Sequence, residues 1–302
     1  MMFSDYYVNI QVTYMRKFFL MFLLGSAALL SYAQEAVSDE PIGKSPLTFN
    51  ASVLFGMSTI SNHYMSSNSY DGVVYGVHVD FGRFYRSAEN VSWKLAFDKY
   101  SSANPATGLE NSALTSSMGY SAMSLNYGSF YNWKFGEGLM VKVGGGLDIS
   151  GDMISNLTHQ TNNAASMNVL AQLEASAGIS YTFKFEKWML ALGGNISTPF
   201  AGVIMTDAKH ESGLGSFASG GFVGNYFSHV KGTTFSNLQG FDFDLGLKFI
   251  AKRVAINVEL VSNNRSWYVN EIQNNRTDIM LRLGATFNLV SLRQTKNISR
   301  YF

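Results

Sequence analysis

The chain has 302 residues, with 22 Lys and Arg against 21 Asp and Glu, no Cys and a formal charge of +1. A surface that neutralises phosphates needs a clear excess of Lys and Arg, so a general nucleic-acid-binding role is excluded. The lack of Cys excludes disulfide frameworks, thiolate catalysis, Cys-ligated zinc and a lipid-anchored N-terminal Cys, while 46% hydrophobic and only 14% charged residues exclude disorder for the bulk of the chain.

Residues 1–14 lack the features of an export signal and read as gene-start overextension, with Met15 as the start. Arg16 and Lys17 then precede an apolar run of 13 residues, Phe18 to Leu30. That is the length of a signal-peptide core and too short to cross a bilayer as a helix. Ser31, Tyr32 and Ala33 supply a small-x-small cleavage site. Residues 15–33 are expected to be a cleaved signal peptide, with residues 34–46 leading into the first strand.

No later apolar run reaches the length of a membrane helix, and alternation with period two takes its place. Leu47, Phe49, Ala51, Val53, Phe55 and Met57 share one face of a first strand, with Thr48, Asn50, Ser52 and Gly56 on the other. The same pattern predicts strands centred on Val73–Phe81, Val91–Phe97, Met123–Trp133, Val141–Ile149, Val169–Phe183, Trp188–Ile196, Phe241–Phe249, Val254–Leu260 and Ile279–Leu289. Connections alternate in length. The second, fourth, sixth and eighth strands end in short turns, at RSAEN, GEG, EK and Lys252–Arg253. The odd-numbered strands lead into polar stretches of roughly a dozen residues or more, the longest from Pro199 to Gly240, as in transmembrane barrels.

Volume decides which face meets what. A soluble barrel or sandwich would put its apolar face inside, but a barrel of about ten strands is only modestly wider than the eight-stranded case that side chains just fill. So many Phe, Trp and Tyr rings do not fit there, whereas the Gly, Ser, Asn and charged face does. Apolar outside and polar inside requires lipid outside. The expected fold is therefore all-β, a transmembrane antiparallel up-and-down barrel over residues 47–290 with ten strands, or twelve if the 199–240 stretch adds a hairpin to the wall. Trp93, Tyr131, Trp133, Phe183, Trp188 and Phe249, with Phe81, Tyr85, Phe185 and Phe287, fall close to the short turns and are expected to form a membrane-interface belt. Clear alternation stops near Val290, which leaves residues 291–302 as a C-terminal tail or the end of the last strand.

These features over residues 34–290 resemble bacterial outer-membrane β-barrels, and the SYAQ cleavage site resembles that of exported proteins of Bacteroidota-type bacteria. The resemblance implies a Gram-negative outer membrane and assembly by the barrel-assembly machinery. It also implies residues 34–46 and the short turns in the periplasm, and the long loops outside the cell.

The face opposite the apolar one carries Asp80, Asp98, Asp148, Glu174, Asp242, Asp244, Glu259 and Asp278 as acids, with Lys94, Lys142, Lys248 and Arg282 as bases. In a narrow lumen such groups must satisfy one another or trapped water, so a charge network is expected without any catalytic purpose. The rival is a small polar pore whose selectivity the charges would set. Two enzyme classes are weighed against both. Omptin-type proteases use a D-x-D pair with a D-x-H pair; Asp242-Phe243-Asp244 and His78-Val79-Asp80 resemble these only in part, because the His pair and the order of the pairs are both reversed. Lipid-processing hydrolases use Ser with His near the outer rim, for which the loop histidines His63, His159, His210 and His229 are candidates without distinctive spacing.

Asp207, His210 and Glu211 form a short cluster lacking a second arm, and no metal or cofactor is expected. Phe217, Phe222, Tyr226 and Phe227 make the Gly-rich 199–240 loop a candidate surface for an extracellular ligand. The chain is thus expected to be a monomeric, non-enzymatic barrel in contact with lipid, with a structural or surface-binding role or passage of small solutes.

Overall fold

A computed structural model describes residues 47–66, 68–85, 88–104, 108–111, 116–157, 165–206, 230–251 and 254–289. The expected signal peptide, residues 34–46 and residues 291–302 lie outside them. So do His159, His210, His229, Asp207, Glu211, Phe217, Phe222, Tyr226 and Phe227.

Ten long antiparallel strands form the wall: β1 (Leu47–Asn62), β2 (Ser69–Tyr85), β3 (Ala88–Ser102), β5 (Ser116–Phe135), β6 (Leu139–Asn156), β7 (Ala165–Lys184), β8 (Met189–Met205), β10 (Leu238–Ala251), β11 (Val254–Val269) and β12 (Ile272–Asn288). Two short strands, β4 (Leu109–Asn111) and β9 (Val230–Thr234), pair beyond the ends of β3 and β10 at the rim away from the short turns. Each wall strand pairs with its neighbours, and β12 returns to β1 in register from Thr48 opposite Asn288 to Asn62 opposite Asn274. The ten-stranded wall is therefore closed. Ten strands suffice because β8 pairs directly with β10, so the twelve-stranded alternative is not adopted.

Lipid-facing side chains follow the predicted alternation: Val77, Leu125, Ile179, Leu245 and Leu281 stand outward and exposed in mid-strand. On β12 the outward apolar residues run from Ile279 to Phe287, nine positions, close to the 9–11 residues that a tilted strand needs to cross the hydrocarbon. At the short-turn end the rings pack on one another. Phe185 and Trp188 stack at 4.0 Å between centroids, Trp188 and Phe249 at 5.0 Å, and Tyr131 lies 4.9 Å from Trp133.

Past the apolar band the pattern inverts. Outward positions become Thr59 and Ser61 on β1, Ser69 and Asp71 on β2, Lys99 and Ser101 on β3, and Gln273 and Asn275 on β12. The inward positions there are Ile60, Tyr70, Tyr100, Tyr120, Trp267 and Ile272, all buried. Above the membrane, water lies outside the wall, so the sheet takes the polarity of a soluble barrel.

This inversion corrects two expectations. The polar stretch from Val261 to Asp278 is strand, not loop, and closes in a two-residue turn at Asn270 and Glu271, both with positive φ (54° and 62°), as the twist of a tight hairpin requires. Likewise the supposed 199–240 loop is strand at both ends, because β8 runs to Met205 and β9 starts at Val230.

The boundary can be tested by charge. Leu125→Lys, in the apolar band, is expected to lower stability by about 2–4 kcal/mol, and Gln273→Lys, above it, by no more than about 0.5 kcal/mol. Urea unfolding in lipid vesicles followed by tryptophan fluorescence measures both.

Candidate functional site

The side chains inside the barrel form three bonded groups. In the first, on β1, β2, β3, β10, β11 and β12, His78 sits between two carboxylates, with Nδ1 2.7 Å from Asp98 and Nε2 2.8 Å from Asp80. The ring thus bridges β2 and β3 through both of its nitrogens. Asp80 also accepts from Asn50 at 3.0 Å and pairs with Lys94 at 3.3 Å. Arg282 reaches Glu259 at 2.9 Å and Asp98 at 3.6 Å, and Lys248 pairs with Glu259 at 3.6 Å. Asn257 donates to Asn50 and Thr286, which ties the floor of this group to the β1–β12 seam.

The second group is centred on Arg265 of β11. It binds Asp242 of β10 through both terminal nitrogens and reaches across to Glu174 of β7 at 2.7 Å. Gln172 donates to Asp148 at 2.9 Å and to Glu174 at 3.2 Å. Arg265 and Glu174 are 5% and 3% exposed at the side chain, so this is a desolvated ion pair.

The third group crosses the bore. Arg276 of β12 pairs with Asp152 of β6 at 3.1 Å and with Asp278 at 3.2 Å, while Asp278 accepts from Ser58 at 2.5 Å and from Tyr100 at 2.6 Å. Asn62 of β1 donates to Ser166 of β7 at 2.9 Å. In the order around the wall, β12 lies opposite β6 and β1 lies opposite β7. Both contacts therefore join opposite sides of the barrel. Around them sit two apolar clusters, one with Leu54, Ile60, Tyr70, Val74, Tyr100, Leu109, Met118, Tyr120, Ile154 and Met280, the other with Leu170, Ile204, Leu238, Trp267 and Val269. The expectation of a lumen polar along its whole length is corrected: its long-loop end is filled by apolar side chains.

Every acid and base predicted for the lumen points inward. Asp80, Lys94, Asp98, Lys248, Glu259 and Arg282 meet in the first group, and Asp148, Glu174 and Asp242 in the second. Lys142 and Asp244 join neither. The Lys142 ammonium lies 5.2 Å from the centre of the Phe130 ring, and among the described residues neither group forms an ion pair. Both line a cavity of about 280 Å³ that runs from Met140 and Lys248 near the short turns to Tyr100 and Arg276 beneath the apolar clusters. Arg265, Arg276 and Asp152 were missed, because they lie where the apolar alternation no longer marks the strand. Their signal was the inverted pattern itself, with Trp267 and Val269 in step with Arg265. Of the interface aromatics, Tyr131, Trp133, Phe183 and Phe249 stand exposed on the outer face, with Trp93 and Trp188 partly covered beside them.

Residues 18–296 match the family described as "Protein of unknown function (DUF3316)". The chain belongs to the DUF3316 family. No curated protein matches it. Among solved structures it is similar to Neisserial surface protein A, at 11% identity and a TM-score of 0.37 over 82% of this chain and 100% of that one. It is also similar to the outer membrane protease OmpT from Escherichia coli, at 7% and 0.42 over 83% and 100%, and to an outer membrane channel from Pseudomonas putida F1, at 11% and 0.41 over 84% and 98%. For this DUF3316 chain the fold is that of an outer-membrane β-barrel, carried by its own closed wall and apolar exterior.

Removing one member of a buried ion pair strands the other. Arg265→Met is expected to destabilise the barrel by about 3–5 kcal/mol. Adding Glu174→Gln and Asp242→Asn should recover most of that loss, as urea unfolding of the single and triple variants will show.

Proposed function

We propose that this DUF3316 barrel is a sealed outer-membrane protein with a structural or surface-binding role, not an open channel. One observation carries the reading: Arg276–Asp152 and Asn62–Ser166 join opposite walls inside an apolar plug. A conducting pore needs a continuous aqueous path lined by groups that bind weakly and release. Side chains bonded wall to wall and packed among Tyr, Trp and Leu remove that path. In this reading the signal at residues 15–33 exports the chain to the outer membrane of a Gram-negative bacterium. The short turns then face the periplasm, and the long-loop rim, including the 206–229 connection, faces outward.

The enzyme readings find less support. His78 is 1% exposed and held on both sides by carboxylates, and Asp242 is held by Arg265, so the residues resembling the omptin pairs are committed to internal contacts. Among the described residues no histidine is hydrogen-bonded to a serine; His63 is exposed at the outer rim.

Planar-bilayer recording tests the seal. Protein shown to be folded by heat-modifiable gel mobility is expected to give no stable conductance, and Arg276→Ser combined with Trp267→Ser should introduce conductance steps. Stable steps from the unaltered chain would overturn the proposal.

A further inference from the structure

The lumen is filled unevenly. Large and charged side chains of β1, β2, β3, β11 and β12 occupy one half, while the β6–β8 side is walled by Ser176, Gly178, Ser180, Gly193 and Ser197. The cavity of about 280 Å³ lies against that thin wall and extends to Met140, Ser180 and Lys248, close to the short turns. Lys94 and Lys248 face it with 43% and 34% of their side-chain surface accessible. The seal closes it on the other side. In this sense the inference rests on the sealed reading, which leaves the short-turn end as the entrance.

One rung of the wall carries the chemistry. Lys142 pairs in register with Gly178, Gly178 with Asn195, and Asn195 with Asp244. A Cβ on Gly178 would collide with Lys142 Cε and come within 2.9 Å of Asn195 Oδ1. The lysine stem therefore lies over the bare backbone of β7, with its ammonium 5.2 Å from the centre of the Phe130 ring. At the far end of the rung stand two acceptors, the Asp244 carboxylate and Asn195 Oδ1, and the latter is buried without a hydrogen-bond partner. Elsewhere in the lumen the ionised groups are matched by an opposite charge or by a bonded amide. Here the Lys142 ammonium and the Asp244 carboxylate are each other's opposite charge across a common space, and among the described residues they form no direct ion pair.

We propose that this cavity binds a small zwitterion of the amino-acid class, entering from the short-turn side. The ligand carboxylate meets the Lys142 ammonium, and its ammonium donates to Asp244. Phe130 and Met140, which also line the cavity, receive an apolar side chain. Charge balance favours a zwitterion over a simple anion, because the cavity lining holds six Lys and Arg and six Asp and Glu. A net ionic ligand would leave an excess charge in a partly desolvated space.

Isothermal titration calorimetry on the full chain refolded in detergent micelles tests the site with three probes. These are L-leucine, isocaproate, which lacks the ammonium, and isoamylamine, which lacks the carboxylate. L-Leucine is expected to bind saturably, and each single-charge analogue about tenfold more weakly or worse, since each forfeits one charge-assisted contact. Lys142→Met and Asp244→Asn should each weaken leucine binding by a similar factor. Gly178→Ala, which displaces the lysine without changing any charge, should do so too. No heat from leucine, isocaproate or isoamylamine binding as tightly as leucine, or leucine binding unchanged in these variants would overturn the proposal. If a variant does not fold, the comparison of the three probes on the unaltered chain still decides. Bilayer recording run in parallel separates the two readings. A silent barrel that ignores leucine keeps the seal and loses the site, whereas a conducting barrel that binds leucine does the reverse.

Discussion

Hydrocarbon offers no hydrogen-bond partner to a backbone amide, and the rest of this structure follows from that constraint. A sheet in lipid must close, because each unpaired edge group would cost several kcal/mol. The pairing of β1 with β12 over almost their full length meets the requirement. Closure also fixes two solvents on two faces at each height. In the apolar band the outside is lipid and the inside holds charges; above the band the outside is water and the inside holds Tyr, Trp and Ile. A single strand such as β12 obeys both rules in turn, outward-apolar at Leu281 and inward-apolar at Ile272, without any change in its backbone pairing.

The interior charges do different work at different heights. Around His78 the lysines keep part of their surface accessible to the cavity, and pairing keeps acids and bases satisfied on the wall. Around Arg265 and Arg276 the pairs are desolvated. Buried ion pairs of this kind add little net stability relative to an apolar core of similar volume, yet are costly to break singly. Their value here is geometric: Arg276 can reach Asp152 only if opposite walls stand at one distance and one register. The apolar plug supplies the burial, and the cross-bore pairs fix how its pieces face one another.

The legibility of the sequence follows the same division. Where lipid lies outside, a residue's polarity reports its facing directly, so the strands through Phe55, Val77, Leu125, Leu245 and Leu281 and the inward acids and bases could be read from period two alone. Where water lies outside, both faces tolerate polar residues and the signal weakens. The stretch containing Asn263, Asn264, Arg265 and Ser266 therefore reads as loop, although it is the central part of a hairpin. The belt aromatics were visible because each lies within a few residues of a turn marked by Gly or charge. Pairing across the lumen was not legible, since Arg276 and Asp152 are 124 residues apart and meet only because closure brings β12 opposite β6.

The uneven filling of the lumen has a local cause in the strands themselves. Inward positions on β7 and β8 are held by Gly178, Ser176, Ser180, Gly193 and Ser197, residues too small to reach the middle of the bore. Gly residues weaken a strand, because they give up cross-strand packing and restrict a freer backbone. A barrel selected only for a solid interior gains nothing from placing several of them on one side of its wall. At Gly178 the vacated space is occupied by the extended side chain of Lys142, and any larger residue would collide with it. The small-residue wall and the lysine that lies along it are thus parts of one arrangement, in which strand stability is given up to hold a charge beside an open cavity.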